Sequence, residues 1–159
     1  YKIGDLLREN GICSAVWADW YGFKMESFDG IPENAALLFK EGACVVIHSD
    51  DENGIQRLNQ EASKAAAAGR RMGIAIPDEA VIRWITLNPA KAMGIDAMTG
   101  SLEPGKMADA VLWNGNPLSV YSRPEKVWVD GALLYDSGDP RLRPMTDFEL
   151  GQPGAGDVK

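Results

Sequence analysis

The chain has 159 residues, 45% of them hydrophobic and 25% charged, which is one globular domain by length with enough material to bury a core. A net charge of −7 and a pI near 4.7 exclude a phosphate-backbone partner, which needs a basic face. No apolar run approaches the ~18 residues of a membrane span, so neither nucleic acid nor membrane is an expected partner.

The first elements alternate helix and strand. Ile3, Leu6 and Leu7 mark the end of an amphipathic helix that closes near Asn10-Gly11, and residues 12–17 read as a strand. Residues 33–40 form a short helix stopped by Glu41-Gly42. Residues 43–47 are continuously apolar, as suits a parallel strand covered on both faces. Residues 55–72 repeat Ile55, Leu58, Ala62, Ala65, Ala66 and Gly69 at steps of three and four, a helix with a small-residue face. Asp78 reads as the N-cap of the next helix, and Asn88 as a cap with Pro89 at the first helical position.

After Thr99 short β runs take over at residues 108–113, 126–129 and 132–135, with Asp130-Gly131 as a two-residue hairpin turn. The expected domains are therefore residues 1–98, two βα units with further helices; residues 99–136, a β segment; and residues 137–159, a loosely held tail. The sequence starts mid-pattern without Met or a signal core, as if taken from a longer chain. Cys13 and Cys44 sit in separate strand-like runs without metal spacing. They read as buried free thiols in a reducing, cytoplasmic setting.

Three constellations could carry chemistry. Around the lone His48, the run Ser49-Asp50-Asp51-Glu52-Asn53-Gly54 fails as a calcium loop. With Gly54 sixth, Ser49 and Gln60 would stand at the first and twelfth ligand positions. What remains is positional, because functional groups in parallel α/β folds sit at the carboxyl ends of strands, where Asp50 stands. Capping of the helix that follows is the plainer role for Asp50 or Asp51, and Asn53 is also available for it. His48 has no second histidine to share a metal with. His48, Ser49 and Asp50 also point alternately to opposite faces, so they cannot form a triad.

Residues 100–107 match G-x-x-x-x-G-K but put Met107 where magnesium binding needs Ser or Thr, and they lead into a strand rather than a helix. Nucleotide binding is not expected there. The aromatic stretch from Trp17 to Glu26, with Lys24 within it, is either a packing patch or a pocket wall.

Three segments in order, Ser49-Asp50 after an apolar strand, Thr86-Leu-Asn-Pro-Ala-Lys-Ala-Met-Gly94 on a helix, and residues 100–112 entering a strand, resemble the C-terminal part of the metal-dependent amidohydrolase superfamily. The closest likeness is to its imidazolonepropionase-like, cyclic-amide hydrolase branch. The resemblance implies an α/β fold: the last two βα units of a (β/α)8 TIM barrel plus the C-terminal part of a small β-sandwich, truncated rather than closed. It implies hydrolysis of C–N bonds other than peptide bonds in a small-molecule substrate. Asp50 would be the metal ligand and general base, with Asp51, Trp17 and Lys24 as substrate contacts and His48 supporting or structural. The implied cofactor is a divalent metal, zinc, in the intact enzyme. Its other ligands belong to earlier barrel strands, so this chain alone is expected to bind no metal tightly and to be inactive. The alternative is a non-catalytic interaction module derived from such an enzyme. Exposed strand edges would make the isolated chain self-associate.

Overall fold

The computed structural model describes residues 1–142. Helix α1 (Gly4–Glu9) leads through Gly11 into strand β1 (Cys13–Val16). Helix α2 (Asn34–Lys40) then crosses over to β2 (Cys44–Ile47). The two strands pair in parallel, Cys13 opposite Cys44 and Val16 opposite Ile47. Parallel neighbours need such a crossover, and the unbroken Val-Val-Ile run of β2 is buried throughout, as expected for a strand covered on both faces.

The long helix α3 (Leu58–Arg71) buries Ala62, Ala65, Ala66, Ala68 and Gly69. These small side chains let it lie close on α2, and a Cβ at Gly69 would collide with that of Ala36. Ile55 departs from the expected helical face. It lies in a separate 3-10 turn, Ile55–Arg57, and is 56% exposed.

Helix α4 (Asp78–Arg83) packs on α3 and helix α5 (Leu87–Ala92) on both strands, and Trp84 and Asn88, near their junction, meet the outer edge of β2. The Ile47 amide donates to the Trp84 carbonyl at 3.0 Å, and Asn88 Nδ2 donates to the Val45 carbonyl at 2.7 Å. Asn88 is thus not a cap but a stitch between α5 and the strand. Asp78 is not a cap either. Pro77 precedes the helix as its cap residue, and the Asp78 carboxylate instead accepts from Arg70 at 2.6 Å and Asn116 at 3.0 Å.

The free-thiol expectation fails. Cys13 and Cys44, paired across the two strands with Cα atoms 4.4 Å apart, form a disulfide. The sequence shows each cysteine in its own strand but not the register that brings them together.

Beyond Thr99 an antiparallel sheet forms from β3 (Ala110–Trp113), β4 (Pro124–Val129) and β5 (Ala132–Asp136), in the order β3-β4-β5. Asp130 (φ 49°) and Gly131 (φ 76°) make the expected tight turn, both in the left-handed region that such a hairpin requires. The Gly100 to Asp109 segment is structural. Gly100 (φ 91°) packs against Ala90, while Asp109 accepts from Thr99 Oγ1 at 2.7 Å and the Asp130 amide at 2.8 Å. Among the described residues the parallel sheet has two strands and does not close on itself. No helix of these residues is long and apolar enough to cross a membrane. Of the expected tail, residues 137–142 continue the last strand in turns, and residues 143–159 lie outside the described residues.

Candidate functional site

β1 and β2 run side by side in the same direction, so the residues leaving their carboxyl ends meet. Trp17 follows β1 and His48 follows β2; their rings lie 4.7 Å apart between centroids, and the His48 amide donates to the Val16 carbonyl at 3.2 Å. Two residues on, Asp50 returns to the side of His48, and its Oδ1 lies 3.5 Å from His48 Nδ1. Its other oxygen accepts from Lys24 Nζ at 2.7 Å. Lys24 is reached because the chain after Trp17 loops back through Trp20 and Phe23. Its ammonium sits 5.1 Å from the Trp17 ring centroid and 5.4 Å from that of Phe23, and pairs with Glu26 at 3.1 Å.

The electrostatics follow from these contacts. The hydrogen bond from Lys24 is the main cause holding the Asp50 carboxyl below its usual value, and His48 adds to it. The same bond, followed by that to Glu26, raises the Lys24 ammonium above its own. Asp50 therefore keeps its charge to lower pH than a free aspartate, at a half-open surface: its side chain is 42% exposed.

Of the five site residues expected from the sequence, Trp17, Lys24, His48 and Asp50 come together. Asp51 turns away. Its Oδ2 accepts from the Gly54 amide at 2.6 Å and its carbonyl from the Ile55 amide at 3.0 Å, so it, rather than Asn53, closes the turn before the helix. Ser49 Oγ accepts from the Asp51 amide at 3.1 Å, which leaves no serine facing His48 and no triad. Free of the capping job, the Asp50 carboxylate is held instead between Lys24 and His48, beside Trp17. The sequence placed Phe23 in the aromatic stretch but not beside the Lys24 ammonium. The signal available was its spacing from Trp17 and Trp20, whose edges it meets at 6.2 Å and 5.0 Å.

A cavity of about 300 Å³ opens beside this cluster, on the outer side of β1, lined by Ala15, Trp17, Trp20, Tyr21 and Glu26 among others. It shares Trp17 and Glu26 with the cluster, but Asp50 does not line it. As a metal donor set, the cluster offers one carboxylate, hard and at a strand end, with its Oδ2 now held by an ammonium. No group of three His, Cys, Asp or Glu among the described residues could hold a metal ion. Asp50 fits as one ligand of a larger site and does not by itself make one.

Comparisons with known proteins identify the family. The profile of the amidohydrolase family matches residues 29–135. The amidohydrolase tasK of Hapsidospora irregularis is 30% identical over 77% of the chain, which spans 12% of that protein. Among solved structures, an amidohydrolase from Thermotoga maritima superimposes with a TM-score of 0.69 at 34% identity, covering 86% of this chain and 34% of its own. An adenosine deaminase from Xanthomonas campestris with bound zinc shares the fold, with a TM-score of 0.70 at 21% identity over 94% of this chain and 37% of its own. The chain thus spans roughly an eighth to a third of the length of the relatives it matches first.

Proposed function

Because the chain belongs to the amidohydrolase family, a family of enzymes, we propose that it supplies the last two βα units of a (β/α)8 barrel and the C-terminal part of the accompanying β-sandwich in a hydrolase of C–N bonds. The family and its cyclic-amide branch favour non-peptide amides of small molecules as substrates. Asp50 carries this reading, as the half-exposed carboxylate just past the carboxyl end of a buried parallel strand, in a loop whose turn is closed by Asp51 instead.

Asp50 is the proton-handling group. It accepts the proton of the attacking water and returns it to the departing nitrogen. Its low pKa keeps it ionised and ready to accept, and His48 braces the oxygen that Lys24 does not hold. Trp17 and Lys24 form the wall against which a substrate is oriented. Asp51 shapes the loop that aims Asp50, and any substrate contact from it would fall to its second oxygen. A divalent metal such as zinc, once bound, would supply Lewis acidity and lower the pKa of the attacking water. Asp50 would be this chain's ligand to it, the others coming from further segments, so the chain alone does not turn over substrate.

The test is Asp50→Asn in the full-length protein, with circular dichroism and metal content measured beside kcat. Loss of about 10²-fold or more in kcat with the fold intact is expected. Unchanged turnover would remove Asp50 from the chemistry, and a parent protein that neither binds metal nor hydrolyses amides would favour the interaction module.

A further inference from the structure

The disulfide lies at the opposite end of the strand pair from the site. β1 and β2 are four residues each, and their register runs from Cys13–Cys44 at one end to Val16–Ile47 at the other. Trp17 and His48 are the next residues along, with ring centroids 4.7 Å apart. A one-residue slip in a strand this short would turn every side chain to the other face, and would take Trp17 and Lys24 away from His48 and Asp50. Few hydrogen bonds hold so short a pair. Both cysteines are half-buried rather than sealed, and Ile12 beside Cys13 is 52% exposed. A third element meets them there. Asn88 lies against β1 through its carbonyl, 3.9 Å from Cys13 Sγ, and against β2 through its side chain on Val45.

We propose that Cys13 and Cys44 are a thiol–disulfide site whose oxidation locks the register of the strand pair and, through it, the juxtaposition of Trp17, Lys24, His48 and Asp50. The oxidant is a small-molecule disulfide of the glutathione class. The thiolate of one cysteine attacks it, forming a mixed disulfide and releasing one thiol. The second cysteine's thiolate then attacks the protein-side sulfur and releases the other. The two cysteines lose two electrons, the reagent gains them, and the two cysteine protons end on the two released thiols. In a reducing compartment the pair opens and the strand ends loosen. The inference rests on strand pairing and not on catalysis, so it stands or falls separately from the Asp50 test.

The experiment equilibrates the full-length protein with varied ratios of reduced to oxidised glutathione, traps free thiols by alkylation and maps the peptides by mass spectrometry. Amide hydrogen exchange is read in parallel for the peptides covering residues 14–24 and 45–51. A cross-linked Cys13–Cys44 peptide in oxidising buffer is expected, with exchange at the strand ends at least about tenfold faster after reduction while distant peptides keep their protection. A double Cys13→Ser, Cys44→Ser variant should exchange like the reduced protein at every ratio. Should that variant not fold, reduction of the native protein makes the same comparison. Separate alkylation of both cysteines at all ratios, or equal protection of the strand ends in both forms, overturns the proposal.

Discussion

Lys24 decides how Asp50 behaves. Its ammonium is the nearest cation to that carboxylate, and with it gone only the weaker interaction with His48 still favours the charged form. Lys24→Met is therefore expected to move the Asp50 carboxyl back up toward the ordinary range near ~3.9, a shift that carboxyl-carbon NMR titration would read. No shift on substitution would mean that the ion pair does not persist in solution. That Asp50 and His48 stand at one strand's end and Lys24 near the end of the other was legible in the sequence, because strand ends and a returning aromatic loop are local patterns; the ion pair between Lys24 and Asp50 was not. Nor was the part played by Asp51. Whether a loop carboxylate faces outward or closes onto an amide three residues on depends on backbone angles that the letters Asp-Glu-Asn-Gly do not specify. The cysteine bridge was hidden for a related reason, since the register between strands 31 residues apart is set by how a whole crossover packs.

Among the elements, α5 shows how a motif can carry structure rather than chemistry. Asn88 satisfies the carbonyl of Val45, a residue with no exposed surface. Asn88→Ala should cost about 1–3 kcal/mol by leaving that carbonyl unpaired, measurable by chemical denaturation. Gly69→Ala, at the contact between α3 and α2, should cost a similar ~1–3 kcal/mol, because the new methyl has no room beside Ala36 and Ile76. If either variant unfolds with the parent's midpoint, the corresponding contact is not formed. The order of helices and strands followed from periodicity, and the small-residue face of α3 from spacing. Asn88 and Asp78 were misassigned as caps because Asn and Asp before a helix have the same local signature whether they bond to their own helix or to a distant partner.

At the scale of the molecule, the β segment is clasped to the helical part by polar contacts. Asp78 on α4 bridges Arg70 and Asn116, and Asn59 Nδ2 donates to the Pro117 carbonyl at 2.6 Å. The hydrogen bond from Arg70, then that from Asn116, lowers the Asp78 carboxyl below its unfolded value. A depressed folded value means that the unfolded state binds the proton first. The contribution is complete above the ordinary aspartate range and fades as pH falls toward the lower, folded pKa. Asp78→Asn should accordingly flatten the acid limb of stability against pH, and an unaltered limb would show that the clasp does not contribute. The change from alternating helices and strands to short β runs was readable from the shift in turn residues after Thr99, and the strands beyond it pair in a sheet of their own. The clasp between the two parts was not readable, since its members stand far apart in the chain.

The two sides of the short parallel sheet differ. On the outer side of β2, the Trp84 carbonyl and Asn88 already occupy backbone groups of the strand, whereas β1 has a strand neighbour only on its inner side. A free copy of this chain can therefore recruit a strand along β1, and among the described residues the outer edges of β3 and β5 in the antiparallel sheet also lack strand neighbours. Within the parallel sheet this asymmetry favours back-to-back pairing through β1 over growth on both sides. Sedimentation velocity on the isolated chain should show the mass rise above that of one chain with concentration, and a mass that stays at one chain throughout would show that the β1 edge does not pair.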